Sequence, residues 1–233
     1  MFTLEQVNHE VDLFVKETQM SITHLTNIIH IDSHKSFACV PSSDIASGKY
    51  IIYISNDLYQ YDLDYQISVL WHEFVHVHDI LYFKNIKNIK YIMATCSEAF
   101  ATTTQLEYLC RKSNTKHILY EGQLTTVSAV AQSYFRTSVQ YCKDVLSTSN
   151  PKSFYNAITN FSYCCGAILL CWEDPLKFLK ENINDYPEIF QHDLLQIGDA
   201  IFSKNPIRAG NLYEKLHRAQ QKQALERIAN RNK

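Results

Sequence analysis

From Asp62 to the last residues, apolar side chains return every three or four positions, and prolines fall only where one such run stops and the next begins. That spacing wraps one face of a helix, and successive amphipathic helices must bury those faces on one another. It predicts helices at about 63–83, 91–111, 123–147, 151–171, 175–182, 187–203 and 211–229. Pro151, Pro175, Pro187 and Pro206 stand at starts or boundaries, where a missing N–H costs nothing. Asp62 and Asp64 occupy the positions of an N-cap and a first-turn acid for the first of these helices.

Ahead of Asp62 the pattern changes. Leu4, Val7, Val11, Phe14 and Val15 mark one more helix over 4–15. Short β-like pieces follow at 27–32, 37–40 and 49–55, punctuated by Pro41, Gly48 and several serines. A small sheet followed by helices is an α+β layout, not an alternating βαβ one. No stretch rich in Gly, Ser or Pro cuts the chain into independent parts. We therefore read residues 1–112 as a core and 113–233 as a helical extension packed on it, in one continuous globular unit.

Composition excludes several classes. The longest apolar run, 163–172, is about half of what crosses a bilayer, so no membrane span is expected. Residues 1–20 hold four acids and one Lys without the charged-then-apolar order of a signal peptide. The seven cysteines are odd in number and include no CxxC pair, which reads as reduced thiols in the cytoplasm. Adjacent Cys164 and Cys165 read as small core residues. The net charge of −2 hides an asymmetry. Residues 204–233 hold eight Lys+Arg and two Glu, against 14 Lys+Arg and 22 Asp+Glu before them. That basic end suits an acidic partner, or is a solvated helix packing on an acidic body. Nucleic acid is not favoured, because interleaved aromatics and any known binding motif are missing.

The chemistry lies inside the 63–83 helix, in Trp71-His72-Glu73-Phe74-Val75-His76-Val77-His78-Asp79. This contains HExxH. Two histidines four apart on a helix differ by about 40° around its axis, one turn up, so both imidazoles reach one ion. Zinc suits imidazole and prefers a tetrahedral shell. Glu73 points to the side of that face, where it can take a proton from water instead of binding the metal. His72, His76, Asp79 and Phe83 share one stripe of the helix. Ile67, Trp71, Phe74, His78 and Leu81 share the opposite one, which separates a metal side from a core side. His78, amid the apolar stripe, reads as a core or hydrogen-bonded histidine. Asp79 reads either as a group orienting an imidazole or as a solvated acid.

A catalytic zinc needs a third protein ligand and an open position. A third histidine ten residues after the first would fall on Tyr82, so that arrangement fails. A glutamate from the next helix fits better. Residues 84–90 (KNIKNIK) read as a polar turn, and Lys87 at its centre is eleven residues from both His76 and Glu98. Equal rise on both legs of an antiparallel return brings Glu98 level with His76. Ala94, Thr95, Ala101 and Thr102 flank Glu98 and are small enough for close helix approach. Glu107 is the weaker substitute.

HExxH, a connecting turn and a glutamate on the following helix resemble the gluzincin class of zinc metallopeptidases. The Ser97-Glu98-Ala99-Phe100-Ala101 segment and the compact size are similar to the ImmA/IrrE family of cytosolic members, often carried by mobile elements and phages. The resemblance covers roughly 49–111 and implies a zincin-like core over 1–112. It implies a peptidase in which a water on zinc, held by His72, His76 and Glu98, gives its proton to Glu73 and attacks a peptide carbonyl; Glu73 then protonates the leaving amine. The implied substrate is one specific intracellular protein. An oxyanion donor is also expected, with His117 and Tyr120 as candidates. Strand 49–55 reads as a candidate edge to which an extended substrate could add, or as an ordinary strand of the sheet. The alternative is a non-proteolytic zincin-like scaffold whose helical half binds a protein partner.

Overall fold

The computed structural model describes residues 1–32, 36–113, 115, 117–148 and 151–231, with backbone alone at 148, 151, 152 and 223–231. The elements in order are α1 (Leu4–Thr18), β1 (Asn27–Ile31), β2 (Ala38–Cys39), α2 (Ser42–Ala46), β3 (Ile51–Ser55) and α3 (Leu63–Phe83). Then come α4 (Ile89–Ile92), a π-helical turn (Met93–Ser97), α5 (Glu98–Ser113), β4 (His117–Tyr120) and β5 (Gln123–Thr126). The helices α6 (Val127–Thr148), α7 (Pro151–Cys171), α8 (Pro175–Asn182), α9 (Glu188–Phe202) and α10 (Pro206–Arg231) complete it. The class is α+β and mainly helical. By contacts the chain forms two compact units, Met1–Ile86 with Phe100–Val127, and Lys87–Ala99 with Ser128–Lys233.

In the first unit, α1 starts in a capping box: Thr3 Oγ1 accepts from the Gln6 N–H, and the Thr3 N–H donates to Gln6 Oε1. Its buried stripe, Val7, Val11 and Phe14, lies on α3, where the Phe14 ring meets Trp71 and Phe74 edge-on at 5.5 and 5.6 Å. The sheet order is β1-β3-β2, with β1 parallel and β2 antiparallel to β3. Ile52 and Ile54 alternate into the core and are fully buried. Strand β3 is thus central, so it is an ordinary strand of the sheet and not the candidate edge. The chain leaves β1, passes through β2 and α2, and returns between β1 and β2; a pattern of alternating residues carries no information on which strands flank it.

Two further corrections concern helices. Residues 117–126, read as a loop and a helix start, form a hairpin with Tyr120 opposite Gln123. Its two-residue turn puts Glu121 at φ 48° and Gly122 at φ 74°, the doubly left-handed form that suits strand twist. Glu in place of the usual Asn or Asp hid that signal. Tyr120 packs edge-on against Tyr65 at 5.4 Å, which ties the hairpin to α3. Helix α3 itself is buried almost all round. Glu73, His76 and Asp79 lie inside along with Leu70, Trp71, Phe74 and Val77, so the metal side is no solvent side. His78 is half-exposed, with its Nδ1 3.0 Å from the Ser21 carbonyl oxygen. The hydrogen-bonded reading fits it and the core reading does not.

In the second unit, α7 supplies a fully buried stripe that includes Ala157, Ile158, Phe161, Cys164 and Cys165. It is the one described helix long and apolar enough to cross a membrane, and 61% of that stretch is buried within the protein. Asp174 caps α8 by accepting from the Lys177 N–H, with Pro175 at the first helical position. Helix α10 crosses α4 at Gly210, where a Cβ would stand 2.7 Å from Ile92 Cγ1 and 3.2 Å from the Ile92 backbone nitrogen. The backbone cannot give way as a side chain can. Gly210→Ala is expected to lower the unfolding free energy by up to about 2 kcal/mol, net of the ~1 kcal/mol gained in helix propensity. A denaturant midpoint no lower than wild type would refute the close crossing. On the basic α10, Arg208 pairs with Asp199 at 2.6 Å and Arg218 pairs with Glu214. The side chains of Arg227, Arg231 and Lys233 lie outside the described residues.

Candidate metal centre

Helix α3 begins at an Asp62 cap that accepts from the Tyr65 N–H at 3.0 Å, which fixes the helix phase nearly three turns ahead of the first histidine. One turn separates His72 from His76, and their rings stand 4.9 Å apart and nearly perpendicular. His76 is buried and His72 half-buried. Glu98 opens α5 and is half-buried. The ligand atoms of His72, His76 and Glu98 all lie within 4.8 Å of one another. Among the described residues no other three His, Cys, Asp or Glu side chains converge in this way. Two imidazoles and a carboxylate match the donor set of a zinc ion with a position left over.

Glu73 is buried and stands outside that convergence. Burial pushes the thiol of Cys39 on β2 up, and the Glu73 carboxylate pushes it further, so the two groups stand within electrostatic reach of each other. Asp79, one turn beyond His76, is buried, so it is no ordinary solvated acid. Glu107 is exposed and takes no part in the cluster. His117 stands exposed at the start of β4, and Tyr120 lies over Tyr65, two turns before His72 on α3.

Two features at Glu98 escaped the sequence. The helix predicted over 91–111 is interrupted by the π-helical turn directly before Glu98. A π-turn adds one residue to a turn and so rotates the residues after it by roughly 100° relative to an unbroken helix. No residue pattern announces it; its buried Ala94, Thr95, Cys96 and Ser97 read as an ordinary small-residue face. The second feature is Tyr155 on α7. Burial pushes its phenol up, the Glu98 charge adds to this, and Thr159 one turn on pulls it down. Tyr155 therefore stands within the field of Glu98 while half its surface is exposed. In the sequence it is one aromatic among fifteen tyrosines with no distinguishing context.

No protein-family model, curated protein or solved structure matches this chain.

Proposed function

We propose that this chain is a zinc-dependent metallopeptidase of gluzincin type, similar to the ImmA/IrrE family and acting on a specific intracellular protein. The observation that carries the reading is the convergence of His72, His76 and Glu98 next to a buried Glu73 that does not join them. Zinc, when bound by those three side chains, supplies Lewis acidity for a peptide carbonyl and makes water a better acid. Glu73 takes the proton of the attacking water and delivers it to the leaving amine. Glu73 is buried beside the first histidine, so it can hold and return that proton without exchange with bulk water. The partial burial of the site limits bulk water around the reacting groups.

Among the described residues the sheet order leaves β1 and β2 outermost, and β2 carries the Cys39 that feels the Glu73 charge. An extended peptide hydrogen-bonding along β2 would run within reach of that charge. This moves the candidate substrate edge from β3 to a strand of two residues.

Purified chain dialysed against zinc is expected to hold one ion per molecule by atomic absorption. Removal with a chelator should abolish cleavage of protein substrates, and added zinc should restore it. Zinc content near zero at micromolar free metal would end the reading. One bound zinc without cleavage of any partner captured by the chain would favour the scaffold alternative.

A further inference from the structure

We infer that Ser162 is a positioning residue for the metal site: its hydroxyl holds open the π-turn that sets the direction of Glu98. That role rests on Glu98 being a metal ligand, as proposed above.

In an unbroken helix the Glu98 N–H would bond to the carbonyl four residues back, that of Ala94. Here it turns instead to the carbonyls of Met93 and Thr95 and passes Ala94 over. The Ala94 carbonyl oxygen is met by Ser162 Oγ, which reaches across from α7 at 3.1 Å. Ala94 is 2% exposed and Ser162 fully buried, so water is no substitute partner. Leaving a buried carbonyl without a donor incurs its full desolvation penalty. That is enough to decide between two helical registers of similar energy. Ser162 Oγ also lies 2.9 Å from the carbonyl of Ile158 on its own helix. The Ile158 oxygen is the ordinary acceptor of the Ser162 N–H, so the hydroxyl proton is needed more at Ala94.

The neighbourhood fits a clamp. Thr95 Oγ1 donates to the Tyr91 carbonyl at 2.7 Å, bonding back into the turn before it. Cys165, one turn after Ser162 on α7, is buried close enough to Cys96 for the two thiols to interact electrostatically. On α10, Gly210 closes on the Ile92 backbone. Small residues thus bring two helices onto the π-turn, and one of them carries the hydroxyl that answers the skipped carbonyl. Without that hydroxyl, returning the Glu98 N–H to Ala94 gives that carbonyl a strong donor again. That step restores the α register and rotates the carboxylate away from the histidines.

The test uses the full chain and zinc alone, with affinity read by competition against a chromophoric chelator. Ser162→Ala is expected to weaken zinc binding by about 10–100-fold, the range for a group that orients a ligand. Ser162→Cys, which keeps a weak donor, should recover part of the loss. The control is Ser138→Ala, which removes another fully buried serine hydroxyl, one that donates to the Ala157 carbonyl at 2.9 Å away from the π-turn. Its zinc affinity should stay within about threefold of wild type, while its denaturant midpoint falls like that of Ser162→Ala. Equal affinity of Ser162→Ala and wild type would overturn the inference and leave the metal site standing. Equal losses in the two alanine variants would also overturn it, by showing a general effect of destabilisation. A wild-type chain that takes up no zinc would overturn the proposed function and this inference together.

Discussion

Glu73→Gln is expected to keep zinc at the wild-type stoichiometry and to lose peptide hydrolysis by about 10²–10⁴-fold, the contribution of a general base. Glutamine has nearly the shape of glutamate, so the packing around this buried position survives. It cannot accept a proton, and it leaves the three-ligand cluster intact because Glu73 is not part of it. Zinc content and initial rate, measured on one preparation, separate the two effects. Zinc lost together with activity would make Glu73 a ligand. An undiminished rate would remove it from the chemistry. A further readout needs no substrate. Burial and the Glu73 charge together hold the Cys39 thiol up. Removing the charge should lower that pKa in part, so Cys39 should react faster with an alkylating agent near neutral pH. No change in labelling rate would mean that Glu73 does not face β2.

Glu98→Ala is expected to cost more than the roughly 10–100-fold affinity loss attached to groups behind the ligands, since it takes away a direct one. Two histidines remain, and they leave a zinc ion half-coordinated by protein. The same loss should appear as stability. An ion bound only by the folded chain adds about 2.7 kcal/mol at a hundred times its dissociation constant, worth roughly 5–11 °C in Tm for a chain of this size. Wild type should show that rise on adding zinc, and Glu98→Ala should show none. Glu107→Ala, altering the exposed acid on the same helix, should behave as wild type. If Glu107→Ala abolished the zinc-induced rise and Glu98→Ala did not, the third ligand would be misassigned.

The two ends of the metal cluster were legible to different degrees. His72 and His76 lie on one helix, and four-residue spacing alone brings their rings together. Local caps were equally readable: Asp62 accepts the N–H three residues on, as its sequence position implied. Glu98 required an assumption about a turn, namely that 84–90 reverses the chain symmetrically. The ligand atoms do converge, but through a π-turn that the assumption did not contain. The hairpin at 117–126 was missed because its Glu-Gly turn departs from the usual Asn-Gly or Asp-Gly, and because Gln123 to Thr126 runs into a helix without a proline between them. Neither helix spacing nor residue type marked Tyr155 or Ser162.

What the residues alone determined is whatever depends on neighbours within a few positions: helix periods, caps, the HExxH pair and the α+β order of elements. Those interactions act over one or two turns, so the pattern that causes them is contiguous. Only the tertiary structure decided that β3 is central, that the metal side of α3 is buried, and that a skipped carbonyl before Glu98 finds its donor on α7. Each of those depends on which distant segments share the cost of leaving water. In a chain the periodic pattern shows that a face must be covered, while the packed fold alone shows by what.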